Sequence, residues 1–406
     1  MDELDLVWVR ARFSGLEPSL AFLENAGGSV PVDGVVERAR RYLAEDMVQL
    51  GAPYPRSERA TARVHAGFDA AARLMGATPA ELVLGGSTTA NLYVLSHALA
   101  PRVGPGDEVV VTTLDHESNR GAWIRMAQAR GATVREWTID PATHSLERPG
   151  LDAVLSERTR LVCFTHCANV VGSLHDVPAL TARIREAGAL SVVDGVAFAP
   201  HRRVDVRALG ADVYVLSLYK VYGPHLGLMY VREALLGALA NQNHDFLAGA
   251  GAYTLMPGYV SHELAASVPG VVEYLEALDA HHGGDGTLDG AFARIAAHEE
   301  RLAERLLAYL RAHPRVRLLG SAQADRARRA PTITFTVRGA RADAIAREAG
   351  SRGVAIRAGH FYAARAMPEL GIEDADDGVV RASMVHYNTL EEIDRLIAVL
   401  DRVLAA

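Results

Sequence analysis

From about residue 60 to residue 235, short apolar runs alternate with longer stretches whose apolar residues recur every three or four positions. The first pattern predicts strands and the second amphipathic helices. Seven strands are expected: Glu81–Leu84, Glu108–Thr113, Thr133–Ile139, Arg160–Thr165, Leu190–Asp194, Val213–Ser217 and Leu226–Val231. Helical stretches such as Arg59–Leu74, Gly121–Arg130 and Val177–Ala187 lie between them. Several strands are apolar throughout, as a strand covered by helices on both faces must be. The pattern is that of an α/β/α sandwich with a seven-stranded, mainly parallel sheet. The last two strands are joined through a Gly-Pro turn, so an antiparallel member is expected there.

The pattern changes after a helical region, Glu263–Leu278, and a glycine-rich segment, His281–Gly286. A long helix, Leu288–Ala312, precedes strands Val316–Leu319 and Thr332–Val337. Then come a helix (Ala342–Arg352), strands Val354–Arg357 and Val379–Met384, and a last helix, Leu390–Val403. This predicts a small C-terminal α+β domain. The expected division is an N-terminal arm over 1–20, a large domain over 21–286 and a small domain over 287–406. His281–Gly286 and Ser321–Arg329 read by composition as exposed loops.

A length of 406 residues fills two such domains and leaves no room for a third. Lys plus Arg is 42 and Asp plus Glu is 49, a net charge of −7. That balance offers no basic surface to nucleic acid or an anionic membrane, but it leaves room for a local basic pocket. The two cysteines, Cys163 and Cys167, cannot build a disulfide framework or a four-cysteine zinc site. No metal site is expected. The N-terminal residues carry acids where a signal peptide needs bases, and no apolar run approaches the ~18 residues of a membrane span. A cytoplasmic location is the expectation.

In open α/β sheets, ligands sit beyond the carboxyl ends of the strands, so the residues following each strand are the candidates. The first strand leads into Gly85-Gly86-Ser87-Thr88-Thr89, at the start of a helix. Glycines allow close backbone approach, and free N–H groups at a helix start favour a phosphate; the same turn also serves as a plain N-cap. The second leads into Asp115-His116-Glu117, where His116 can lie on a flat ring or pair with a neighbouring acid. The fourth leads into His166-Cys167-Ala168-Asn169, and the fifth ends in Asp194-Gly195. A carboxylate closing a buried strand is costly without a positive partner. The sixth leads into Ser217-Leu218-Tyr219-Lys220, and a lysine at an apolar strand end can have a lowered pKa and act as a nucleophile. One cofactor explains the ordered set. Pyridoxal phosphate needs a lysine for its Schiff base, a carboxylate for its pyridine nitrogen and an anion cradle.

The ordered set resembles the class V aminotransferase family of fold-type I pyridoxal-phosphate enzymes, and within it the cysteine-desulfurase-like branch. The resemblance runs from Asn25-Ala26-Gly27-Gly28 to Tyr387-Asn388-Thr389. It implies that Lys220 carries the internal aldimine, that Asp194 pairs with the pyridinium nitrogen and that His116 stacks on the ring. Asn169 would donate to the phenolic oxygen. Ser87, Thr88, Thr89, Ser217 and Tyr219 would hold the phosphate. Arg381 matches the family's substrate-carboxylate arginine and Arg357 a second active-site arginine, with Asn25 also at the substrate.

The departures narrow the expectation. Cysteine desulfurases read Arg-Thr-Gly-His-His-Cys where this chain reads Arg357-Ala358-Gly359-His360-Phe361-Tyr362, so Tyr362 stands at the sulfur-accepting position. Asp-Gly-Ala-Gln becomes Asp194-Gly195-Val196-Ala197, and the usual Gly-Thr-Pro element becomes Pro257-Gly258-Tyr259-Val260. Cys163 reads as a core residue, whereas Cys167 falls near the cofactor. The resemblance implies an enzyme acting on a small amino acid or amine through a Cα carbanion, and a homodimer with active sites at its interface. The favoured outcome is β-elimination at a C–S bond without a persulfide cysteine. Transamination and epimerisation or racemisation are the alternatives, and a non-catalytic cofactor-binding protein is the alternative of another class. Tyr54, His360, Tyr362, His386 and Tyr387 are candidates to line the substrate pocket.

Overall fold

The computed structural model describes residues 3–405. Its strands, in chain order, are β1 (Ala21–Phe22), β2 (Leu82–Gly85), β3 (Glu108–Thr112), β4 (Thr133–Trp137), β5 (Thr159–Thr165), β6 (Leu190–Asp194) and β7 (Val213–Ser217). They continue with β8 (Gly227–Val231), β9 (Val316–Leu319), β10 (Thr332–Val337), β11 (Val354–Ala355), β12 (Arg357–Gly359) and β13 (Val379–Ser383). Seven of them form one sheet in the order β2-β8-β7-β6-β5-β3-β4.

β3, β4, β5, β6 and β7 are parallel, and β8 runs antiparallel to both β2 and β7. β2 is therefore parallel to β7. The carboxyl ends of β2, β3, β5, β6 and β7 share one edge of the sheet, where the expected site residues lie. Every residue of β3, β7 and β8 is buried, as double helix cover demands. The edge strand β4 instead exposes Thr133, Arg135 and Glu136, which discourages pairing with another chain.

A second sheet, β12-β13-β10-β9, is antiparallel and forms the smaller unit. The single strand expected over Val354–Arg357 splits. β11 pairs in parallel with β1, whereas Arg357 begins β12 opposite Arg381 of β13. Two edges compete for one short apolar segment, and periodicity along the chain cannot show which edge takes which end. The helical region Glu263–Leu278 is likewise two helices, His262–Ala265 and Pro269–His281; Pro269, lacking an N–H, starts the second.

The apolar core has two parts. One lies on both faces of the large sheet, and the other fills the small unit. The helix Leu288–Arg311 contributes Leu288, Phe292 and Ile295 to the first and Leu302, Leu306 and Leu310 to the second. The expected limits set Ala21 in the large domain; its strand pairing and its burial are with the small unit.

Two segments read as exposed loops are more than that. Arg329 in Ser321–Arg329 is buried and donates to the carbonyls of Thr332 (2.6 Å), Ala330 (3.2 Å) and Ser321. An irregular segment inside the protein needs donors for its carbonyls, and the guanidinium supplies them. His281 stacks on Trp8 at 4.5 Å, and His282 Nε2 accepts the Asp5 N–H at 2.8 Å. No helix among the described residues is long and apolar enough to cross a membrane.

Arg329→Leu keeps the bulk but leaves these buried carbonyls unpaired. It is expected to lower stability by about 2–5 kcal/mol, read from the urea midpoint.

Candidate active site

At the shared strand edge the chain encloses a cavity of about 230 Å³. Its walls include Ser87, Thr88, Thr89, His116, Asn169, Asp194, Ser217, Tyr219 and Lys220, which together are all the residues expected at the cofactor. They arrive from the carboxyl ends of five strands, β2, β3, β5, β6 and β7, or from the turns after them.

Ser87 caps the helix Thr88–Leu99, its Oγ accepting the Ala90 N–H at 3.0 Å. The N–H groups of Thr88 and Thr89 have no partner inside that helix, so they remain for an anion. Thr88 Oγ1 donates to the Leu216 carbonyl at 2.9 Å and meets Ser217 Oγ at 2.8 Å, which ties the turn to the end of β7. Gly227 in β8 lets the turn come close, since a Cβ there would lie 2.3 Å from the Ser87 carbonyl carbon. Tyr219 packs edge-on against His225 at 4.6 Å. Gly28 leaves room for the Tyr219 ring, 3.3 Å from where its Cβ would be.

Asp194 ends β6 and is buried. Its Oδ1 accepts the Val196 N–H at 2.8 Å, and among the described residues it forms no ion pair. Burial raises its pKa to about 6, against the backbone hydrogen bond and the charge of Lys220. Lys220 is buried in the turn after β7, and its amine has no hydrogen-bond partner among the described residues. Burial and the charge of Arg381 bring its pKa down to about 8. His116 is not paired with Asp115 or Glu117. The Ser118 N–H donates to its Nδ1 at 3.1 Å, which leaves the proton of the neutral ring on Nε2. Burial and the charges of Lys220 and Arg381 push its pKa down to about 4, so the ring is neutral.

These residues fit pyridoxal phosphate. A buried carboxylate without a cation suits a protonated ring nitrogen, an unpartnered amine suits the aldehyde, and free N–H groups suit the phosphate.

The remaining expected residues divide. Asn169 Nδ2 donates to the Phe361 carbonyl at 2.9 Å, which leaves one N–H for a ligand. Arg381 is buried in β13, with its guanidinium 3.7 Å from the centre of the Phe361 ring. Its Nη1 donates to the Asn169 carbonyl at 3.0 Å and its Nη2 to Glu24 Oε1 at 3.4 Å. Arg357 lies 3.7 Å from the same carboxylate oxygen, with its side chain half exposed. Asn25 is not free for a substrate. Its amide donates to Phe22, Ser383 and Asn388 and accepts from the Tyr387 hydroxyl, so it joins the N-terminal segment to the small unit.

His386 and Tyr387 also leave the pocket, entering an aromatic cluster with Phe13, Tyr222 and Tyr274. Tyr54 is exposed before the helix Pro55–Met75. Tyr362 is 62% exposed, its ring 5.1 Å from that of His116. Phe361 and Tyr362 both adopt left-handed backbone, with φ of 51° and 60°. The Glu117 N–H holds the second of them through the Tyr362 carbonyl at 2.8 Å. Cys163 is buried in β5. Cys167 does reach the cavity wall, but burial raises its pKa to about 12 and it stays a thiol.

The sequence reading missed Ser118, which sets the His116 tautomer, and His225 in the cavity wall. It also missed Glu24, which meets both arginines. Ser118 and His225 lie within reading distance of the strand-end motifs; Glu24 carries no such signal.

A family model described as Aminotransferase class-V matches residues 21–396. The chain is 40% identical over 405 residues to "Aminotransferase-like protein FGM3" of Gibberella zeae, covering 98% of each. It is 32% identical to "Cysteine desulfurase-like protein ustD" of Aspergillus flavus, covering 98% of this chain and 91% of that one. Its fold matches the crystal structure of the cysteine desulfurase CsdA from Escherichia coli with a TM-score of 0.84, at 24% identity over 100% of this chain and 99% of that one.

Two outcomes are expected of the site. Capture of pyridoxal phosphate by the cofactor-free protein should speed up with rising pH and reach half its maximum near pH 8, because only the neutral Lys220 amine reacts. Stopped-flow absorbance reads this rate; a midpoint near 10 would contradict it. Gly227→Ala should weaken cofactor binding by about tenfold or more, as the added methyl pushes the phosphate turn away. Fluorescence titration measures that loss, with circular dichroism as the check on folding.

Proposed function

The chain belongs to the class V aminotransferase family, whose members depend on pyridoxal phosphate, and on that premise we propose that it is a lyase acting on a free α-amino acid. In this reading it breaks a Cβ–S or related bond and releases the leaving group to solvent. When bound, the cofactor supplies the electron sink that makes the amino acid's Cα–H acidic.

The residues divide the remaining work. Lys220, with its pKa near 8, takes the Cα proton on Nζ close to neutral pH. Asp194 supplies the negative charge that keeps a ring nitrogen protonated. His116 offers a flat, uncharged face with its proton on Nε2. Arg381 orients the substrate's carboxylate through a planar fork of donors. Ser87, Thr88, Thr89, Ser217 and Tyr219 hold the phosphate.

The observation that carries the elimination reading is the lack of a thiolate to receive sulfur. Tyr362 occupies the acceptor position, and Cys167 remains protonated with a pKa of about 12. Sulfur then leaves as sulfide or thiol, taking the Cβ–S bonding pair. Transamination is the second reading, supported by the name of the 40% identical relative. We also propose a homodimer, to be checked by light scattering.

The test is product analysis of the holoenzyme with a panel of amino acids. Elimination should give 2-oxo acid, ammonia and the thiol or sulfide in equal amounts, with the cofactor unchanged. Conversion of the cofactor to its amine form, without ammonia, would replace this reading with transamination. Deuterium at Cα with no net loss of substrate would replace it with epimerisation.

A further inference from the structure

Glu24 comes to Arg381 and Arg357 from the N-terminal segment, and its position is fixed by backbone pairing. The Ser383 N–H donates to the Leu23 carbonyl at 2.8 Å, and the Asn25 N–H donates to the Ser383 carbonyl at 3.3 Å. Residues 23–25 therefore run beside the end of β13, the strand that carries Arg381. Glu24 Oε1 lies 3.4 Å from Arg381 Nη2 and 3.7 Å from Arg357 Nη1. Both distances exceed the ~2.7–2.9 Å of a well-made charge-assisted hydrogen bond.

Arg381 has donors to spare. Its residue is only 2% exposed, and its buried Nε has no partner among the described residues. A guanidinium with one loose carboxylate and one orphan N–H can take a further carboxylate without giving up its Asn169 contact. The seat of Glu24 also depends on a missing side chain. A Cβ on Gly27 would lie 2.4 Å from Glu24 Oε1 and 2.8 Å from Oε2.

We propose that Glu24 is a resident carboxylate of the substrate-carboxylate end of the site, lowering its charge from two positive to one and so selecting an amino acid that presents a single carboxylate there. The proposal rests on the reading of Arg381 as the carboxylate-binding residue. An incoming carboxylate takes Arg381, and Glu24 stays with the half-exposed Arg357. A second carboxylate arriving at the same place meets Glu24 and no unpaired cation. Because Coulomb energy is linear in charge, neutralising Glu24 should strengthen a dianion by about the square of the factor gained by a monoanion.

The experiment is calorimetric titration of the holoenzyme with acetate and with malonate at fixed pH and ionic strength. Glu24→Gln should bind acetate about threefold tighter and malonate about tenfold tighter than the parent protein. Gly27→Ala keeps the glutamate but evicts its carboxylate, and should shift both affinities in the same direction. A gain in affinity is not something a merely damaged fold produces. If Arg381→Lys abolishes acetate binding while Glu24→Gln and Gly27→Ala leave both ligands within twofold of the parent, Glu24 has no such role. If Arg381→Lys binds acetate as the parent does, the carboxylate reading of Arg381 falls and the proposal falls with it.

Discussion

The central constraint in this protein is a carboxylate buried at the end of β6 with no ion-pair partner among the described residues. Asp194 has one backbone N–H for company, and burial holds its pKa well above that of a free aspartate. Such a group is costly unless something positive completes it. Its surroundings answer to that need. Lys220 feels the negative charge of Asp194, which raises its pKa, but burial and the positive charge of Arg381 together outweigh that pull and lower it. The same burial strips His116 of its proton, leaving a neutral ring. One region of low dielectric thus produces three altered side chains, each suited to a different part of one cofactor.

Much of this was legible in the chain. Apolar runs with turn residues after them located every strand of the large sheet to within a residue or two, because all but the edge strand β4 are largely buried on both faces. The candidate residues after the strands all reach one cavity, because parallel strands bring their carboxyl ends to one edge. What was not legible depends on partners distant in sequence. The split between β11 and β12 is decided by which neighbour offers an edge. The burial of Arg329 is decided by carbonyls that need donors, and the amide of Asn25 is spent on Ser383, Tyr387 and Asn388 near the chain's far end. His386 and Tyr387 follow β13 like site residues, yet the helix Pro269–His281 packs Tyr274 against His386, and Phe13 and Tyr222 pack against Tyr387.

The turn at Phe361 and Tyr362 holds two residues in strained backbone. Two consecutive left-handed residues cost roughly 1–2 kcal/mol each. The strain is offset by the hydrogen bonds from Asn169 and Glu117 to the two carbonyls. What the turn gains is placement: the Phe361 ring lies flat against Arg381, and the Tyr362 ring leans toward His116.

The helix Leu288–Arg311 has a mechanical consequence. Its 24 residues span about 36 Å, and its two halves are embedded in different cores. A rod seated at both ends permits no hinge at that crossing. Swinging the two halves apart would therefore mean bending this helix or stripping one end of it from its core. For the same reason heat should find one cooperative unit, with a single calorimetric peak for the whole chain.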